Sequence, residues 1–172
     1  MSATSSARPP EPAAENAWAL QHIAVLESSL QQLTGAALYT GGASGAARAK
    51  AIYEAPFVLL SHGTEPDPLF NYGNRTAQQL FEMDWDTLVS TPSRQSAEPG
   101  LQAEREAFMQ RVKSSGFVDD YRGVRVSASG LRFAIENAVV WNLTDQRGAL
   151  CGQAATFNHW QPLTAAGIEG KP

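Results

Sequence analysis

Between Phe117 and Trp160 the chain reads as three consecutive antiparallel strands, joined by two short turns, Ser127-Ala128-Ser129-Gly130 and Thr144-Asp145-Gln146-Arg147-Gly148. In the middle strand Leu131, Phe133, Ile135, Val139, Trp141 and Leu143 share one parity. A strand sends every second side chain to the same side, so these residues are expected on one buried face. Asn137 is the one polar residue of that parity and is expected to point inward with them. A buried amide is costly unless its donors and acceptors are bonded. Asn137 therefore reads either as a structural anchor or as a contact to a ligand.

A chain of 172 residues is long enough for one domain with a genuine core and short for two. Its formal net charge is −4, and no basic stripe of the kind a phosphate backbone requires is visible. Arg105, Arg111, Arg122 and Arg125 are interleaved with acidic residues and read as solvated faces, so no nucleic-acid partner is expected. Cys151 is the only cysteine, which excludes an intrachain disulfide and a zinc site built on thiolates of this chain alone. No apolar run approaches the roughly 20 residues of a membrane helix. Residues 1–14 lack the apolar core of a secretory signal. No membrane association is expected, and a cytoplasmic location follows by elimination.

Pro9, Pro10 and Pro12 mark residues 1–14 as a disordered tail. Residues 15–55 read as an N-terminal helical extension. Trp18, His22, Val25, Leu26, Ser29, Leu30 and Leu33 form a stripe ended by Gly35, and a second short helix over 46–54 is ended by Pro56. A core is expected over 56–160 and a polar tail over 161–172. The core opens with two hairpin strands, Phe57 to Ser61 and Leu69 to Tyr72, around Pro66-Asp67-Pro68. Asn74 is placed to cap a helix through Phe81, and Asp84 to cap a short turn with Trp85 and Leu88. Residues 90–100 read as loop. An amphipathic helix over 102–114, with Phe108 and Val112 on one side and Gly116 as its stop, leads into the three strands.

Two strands, a string of short helices, one longer helix and a three-strand meander resemble the element order of PAS domains. The segments Asn71-Tyr72-Gly73-Asn74-Arg75, Leu80-Phe81-Glu82-Met83, Pro92-Ser93-Arg94, Ser96-Ala97-Glu98 and Ile135-Glu136-Asn137-Ala138 carry a more specific likeness. With Val140-Trp141-Asn142-Leu143 and Cys151-Gly152-Gln153-Ala154-Ala155 they resemble the MEKHLA domain, a PAS-related family, of the stand-alone bacterial type. The likeness runs from about Trp18 to Trp160. It implies an α+β fold: a PAS-like five-stranded antiparallel sheet with short helices on one face, preceded by the helical extension.

The resemblance also implies a cavity between sheet and helices, where relatives hold a flavin, haem or small metabolite. Light-sensing flavin chemistry requires a cysteine on the short helices, and Pro92-Ser93-Arg94-Gln95-Ser96 has none. Cys151 reads as a buried small hydrophobe. Haem commonly takes a histidine on the longer helix, which has none. His22, His62 and His159 show no metal-ligand spacing. The cofactor, if any, is left unknown and no metal is expected.

The residues expected around a pocket are Arg94, Ser96, Asn137, Tyr72, Phe133, Ile135 and Trp141. Arg94 could grip an anion with two parallel hydrogen bonds, or pair with Glu98 or Glu136 and pin its loop to the sheet. Trp18, Trp85 and Trp141 read as core or interface aromatics. The first functional reading is a stand-alone sensory or regulatory module that binds a small molecule and acts in trans on a protein partner or as a homodimer. The second is a ligand-free structural dimerisation or interaction module. The third is a small cone-shaped isomerase-like or dehydratase-like enzyme, which needs an inward acid or base. Parity turns Glu136 away from Phe133 and Ile135, which weakens this reading, and no enzyme is expected, although Asp67, Glu98 or Asp120 could approach from loops.

Overall fold

A computed structural model describes residues 8–97 and 102–163. Helices α1 (Leu20–Thr34) and α2 (Gly45–Tyr53) precede strands β1 (Val58–His62) and β2 (Phe70–Gly73). Helices α3 (Arg75–Phe81) and α4 (Trp85–Leu88), a 3-10 turn (Ser93–Ser96) and α5 (Gln102–Ser115) follow. The meander is β3 (Phe117–Val126), β4 (Arg132–Thr144) and β5 (Leu150–Phe157), and a short β6 (Trp160–Pro162) continues beside β4. The strand order is β2-β1-β5-β4-β3, with every pair antiparallel.

The caps expected from sequence set the helix starts. Asn74 accepts from the Ala77 N–H at 3.1 Å and Asp84 from the Thr87 N–H at 2.8 Å. Gly116 takes the left-handed φ of 84° that ends α5. The first helix begins later than its apolar stripe predicts. Ala17, Trp18 and Ala19 have φ of 54°, 59° and 59°, left-handed backbone within a distorted 3-10 segment (Ala14–Ala19) that keeps α1 from starting before Leu20.

The middle strand does not keep one parity. Tyr121 pairs with Ala138 and Gly123 with Ile135, so Arg122 stands opposite both Glu136 and Asn137. This is a β-bulge, and one extra residue inverts the side-chain alternation beyond it. Asn137 sits there with φ of 54°, exposed to solvent, rather than inward as expected. Phe133 and Ile135 lie on one face, while Val139, Trp141 and Leu143 lie on the other. Leu131, also expected inward, precedes the strand and is 61% exposed.

Two separate cores result. On one face Leu59, Tyr72, Trp141 and Leu143 pack under Ile23, Leu26 and Leu30 of α1 and Ile52 and Tyr53 of α2. The Trp141 indole donates to the Leu26 carbonyl at 3.1 Å, and the Thr144 N–H donates to Ser29 Oγ at 3.0 Å, tying α1 to β4. On the opposite face Leu60, Phe70, Phe133, Ile135 and Phe157 meet Phe81 of α3 and Leu88 of α4. Phe108 and Val112 of α5 close that side over Val118 and Val140.

The described parts of the two expected tails, residues 8–14 and 161–163, lie against the domain. Residues 1–7 and 164–172 lie outside the described residues. Pro12 is buried, and the Trp85 indole donates to the Pro9 carbonyl at 2.8 Å, so residues 8–14 are docked on the domain. Residues 161–163 run along β4, where the Leu163 N–H donates to the Arg132 carbonyl at 2.8 Å. Among the described residues no helix is long and apolar enough to cross a membrane.

Candidate functional site

The second face of the sheet is not sealed completely. The 3-10 turn Ser93–Ser96 is laid across the end of the hairpin by two backbone bonds, Ser93 N–H to the Pro68 carbonyl at 2.9 Å and Phe70 N–H to the Thr91 carbonyl at 3.1 Å. Between this turn, the sheet and α5 lies a cavity of about 70 Å³. Leu60, Phe81, Ile135, Val140 and Phe157 give it an apolar wall. Ser61, His62, Ser93, Ser96, Arg125 and Gln153 bring polar groups to its border.

The two serines of the turn are in different states. Ser96 Oγ donates to the Ser93 carbonyl at 2.7 Å and is satisfied. Ser93 Oγ is buried and has no hydrogen-bond partner among the described residues. A buried hydroxyl without a partner forfeits about 1–3 kcal/mol relative to a bonded one. An acceptor inside the cavity would recover that loss.

The residues expected from sequence do not converge. Ser96 and Ile135 border the cavity, and Phe133 stands behind it, edge-on to Phe81 with ring centroids 5.2 Å apart. Arg94 points away from the cavity. Its Nε and Nη2 donate to the two carboxylate oxygens of Asp67 at 3.0 and 3.3 Å, with the two side chains 54% and 53% exposed. Glu136, one of the two partners expected, is not the one it takes. Glu136 pairs with Arg122 at 3.1 Å, and Glu98 lies outside the described residues. Tyr72 and Trp141 belong to the core beneath α1, on the far side of the sheet.

The titratable groups give little support to acid–base or nucleophilic chemistry. His22 Nε2 lies 2.8 Å from Ser61 Oγ, but the Ser61 hydroxyl donates to Asn71 Oδ1 at 2.6 Å. The serine therefore presents a lone pair to the histidine, the reverse of a base activating a nucleophile. Burial lowers the His22 pKa to about 4, leaving the ring neutral at pH 7. Burial, helped by the charge of Asp145, raises the Cys151 pKa, so its thiol stays protonated. Asp67 and Asp120 are paired with Arg94 and Arg111 at the surface. Among the described residues no three His, Cys, Asp or Glu side chains are grouped as a metal ion requires.

Sequence reasoning passed over Ser93 in favour of its charged neighbour Arg94. Its adjacency to Pro92 was the available signal, because proline at this bend turns the next residue back against the hairpin. Gln153 was also missed. It is partly buried on β5, one strand from the bulge that disturbs the parity of β4.

With this geometry in view, the family model of the MEKHLA domain matches residues 20–162. Among solved structures the chain is similar to the PAS domain of a protein from Colwellia psychrerythraea, with a TM-score of 0.57 and 13% identity over 69% of this chain and 95% of that one. It is similar to an RNA-binding light-oxygen-voltage receptor, with a TM-score of 0.57 and 14% identity over 69% of this chain and 35% of that one, so it spans about a third of that receptor. A light-oxygen-voltage domain studied with a flavin analogue gives a TM-score of 0.54 and 12% identity over 70% of this chain and 87% of that one. Identities this low carry the fold alone. A search of curated proteins gives no significant match.

The cavity does not fit the flavin of a light-oxygen-voltage domain. Its lining contains no cysteine, and about 70 Å³ is well below the roughly 300–1,000 Å³ of pockets for ligands of drug size. The same volume excludes haem, and α5 offers no histidine toward it. The space corresponds to a few waters or a molecule of a few non-hydrogen atoms.

Proposed function

Because this chain belongs to the MEKHLA domain family and carries the PAS fold, we propose that it is a sensory or regulatory module that takes a small, largely apolar molecule bearing one hydrogen-bond acceptor. Binding alters contact with a protein partner or a second copy of the chain. The observation that carries this reading is the unpartnered Ser93 hydroxyl beside an apolar cavity. A mostly apolar wall with a few polar groups, one of them an unbonded donor, is the usual composition of a small-ligand pocket. The 3-10 turn that holds Ser93 also meets β3, through the Ala97–Arg125 bridge, so occupancy of the cavity has a short route to the sheet edge.

Native mass spectrometry of the freshly purified full chain tests the proposal. A co-purifying small mass, lost in Ser93→Ala, supports it. Where the protein emerges empty, thermal unfolding is followed with small ketones, aldehydes and esters. A rise in Tm present in the parent and absent in Ser93→Ala supports the reading, and no rise with any of them overturns it.

The small cavity volume favours one alternative, a ligand-free interaction module whose core is nearly filled by Phe81, Phe133, Ile135 and Phe157. In that case Ser93→Ala removes an unsatisfied hydroxyl at no functional cost, and its only effect is higher stability.

A further inference from the structure

On the other side of the sheet lies a second recessed surface, independent of the Ser93 cavity. Its wall is aromatic: Trp85 packs edge-on against Tyr72 with ring centroids 6.0 Å apart, and Tyr72 packs edge-on against Tyr53 at 6.4 Å. Across this wall runs Arg8-Pro9-Pro10-Glu11-Pro12. Each proline fixes its own φ, and Pro9 and Glu11 each precede a proline, which drives them to extended backbone. Such a segment has no internal hydrogen bonds and leaves its carbonyls free to accept. The Trp85 indole takes the Pro9 carbonyl at 2.8 Å, the Tyr53 hydroxyl donates to Glu11 Oε1 at 3.1 Å, and Pro12 is buried. Docking of an extended proline-rich segment on an aromatic-lined groove is a recurring mode of peptide recognition, and here one groove donor takes a backbone carbonyl and a second takes a carboxylate.

The segment neither fills the groove nor satisfies it. A space of about 400 Å³ remains beside Pro9 and Pro10, bordered by His22, Asn71, Tyr72 and Trp85. The buried Tyr72 hydroxyl in that wall has no partner among the described residues. The connection to α1 passes through Ala17, Trp18 and Ala19, three successive non-glycine residues in the left-handed region, a costly conformation held by Asn16, whose Oδ1 accepts from the Ala13 and Ala19 N–H groups and whose Nδ2 donates to the Glu11 carbonyl. The Arg75 guanidinium lies over the Tyr53 ring, 5.5 Å from its centroid, and Arg75 and Glu11 border the same surface hollow. A cation here favours an acidic residue at the position Glu11 takes.

We infer that this groove is a docking site for a proline-rich segment of a partner protein, of the form Pro-Pro-acidic-Pro, and that Arg8–Pro12 holds the site in cis until such a segment displaces it. The partner is recognised by one carbonyl on Trp85, one carboxylate near Tyr53 and Arg75, and proline rings against the aromatic wall. The cis segment competes at an effective concentration of order millimolar, so the parent chain binds a partner peptide weakly.

The test uses a fluorescently labelled peptide of residues 8–15 and the full chain, read by anisotropy. Pro9→Ala with Pro12→Ala in the chain weakens the cis contact and is expected to raise peptide affinity at least tenfold over the parent. Trp85→Phe added to that background keeps a ring, removes the indole N–H and is expected to lower affinity about tenfold. If that variant fails to fold, Tyr53→Phe replaces it, with loss of the preference for Glu over Gln at the third residue of the Pro-Pro-Glu-Pro motif as the expected result. Equal affinity in the parent and the Pro9/Pro12 variant overturns the inference, as does equal binding of a peptide with alanine at every proline. A doubling of mass in the Pro9/Pro12 variant with no peptide binding assigns the groove to a second copy instead and also overturns it.

Discussion

Asn74 and Leu59 are joined across the hairpin: Asn74 Oδ1 accepts the Leu59 backbone N–H at 3.1 Å while it also caps α3 by accepting the Ala77 N–H at 3.1 Å. Its Nδ2 donates to the Phe57 carbonyl at 2.8 Å and the Ile52 carbonyl at 3.2 Å. All four bonding capacities of one fully buried amide are used, and they connect α2, β1 and α3. This is the satisfied inward amide that the middle strand was expected to provide at Asn137.

Replacement of Asn74 is therefore expected to be severe. Asn74→Ala removes a cap worth about 1 kcal/mol and leaves buried backbone groups unpaired at about 1–3 kcal/mol, giving a loss of roughly 3 kcal/mol. Asn74→Asp keeps the acceptor but turns an oxygen toward two carbonyls, and is expected to lose at least as much at neutral pH. Urea denaturation followed by circular dichroism measures both.

Asn137 behaves as a turn residue. Asn137→Gly is expected to change stability by less than about 0.5 kcal/mol, because glycine adopts its left-handed φ without strain. Asn137→Val, with a branched side chain in the same conformation, is expected to cost about 1–2 kcal/mol. Equal denaturation midpoints for the two variants would contradict the bulge.

His22 gives the fold a pH dependence whose sign is fixed. Its folded pKa of about 4 lies below the ordinary value of 6.5, so the unfolded chain binds the extra proton first. Its contribution is present in full above about pH 6.5 and is lost as pH falls toward 4, with a ceiling of about 3 kcal/mol. His22→Gln is expected to flatten unfolding free energy between pH 6.5 and 5, measured in urea at several pH values.

Arg94 is expected to matter little. The pair with Asp67 is half exposed, and such pairs contribute about 0.2–1 kcal/mol. Arg94→Ala is expected to lower stability by under about 1 kcal/mol and to leave any co-purifying mass unchanged in native mass spectrometry.

Much of the fold was legible because its signals are local. The caps at Asn74 and Asp84 and the stop at Gly116 act within one turn of the chain and mark where α3 and α4 begin and α5 ends. The likeness to the MEKHLA domain rested on short strings that survive in sequence whatever their environment, and the family match over residues 20–162 agrees with it. The site was far less legible. Arg94 attracted attention by its charge, yet charge finds the nearest exposed carboxylate, and Asp67 reaches it from 27 residues earlier in the chain. The docking of Pro9 on Trp85, 76 residues apart, left no local signal at all.

The amino-acid sequence by itself determined the class of fold and the order of its main helices and strands, though not β6 or the turn at Ser93, because periodicity, caps and breakers act over a few residues. Only the tertiary structure decided which way the meander faces. A single bulged residue at Asn137 reverses the parity of β4, sends Trp141 under α1 and leaves Ile135 at the cavity. The reversal depends on how β3 pairs with β4 across the sheet, a long-range register that no run of residues along one strand contains.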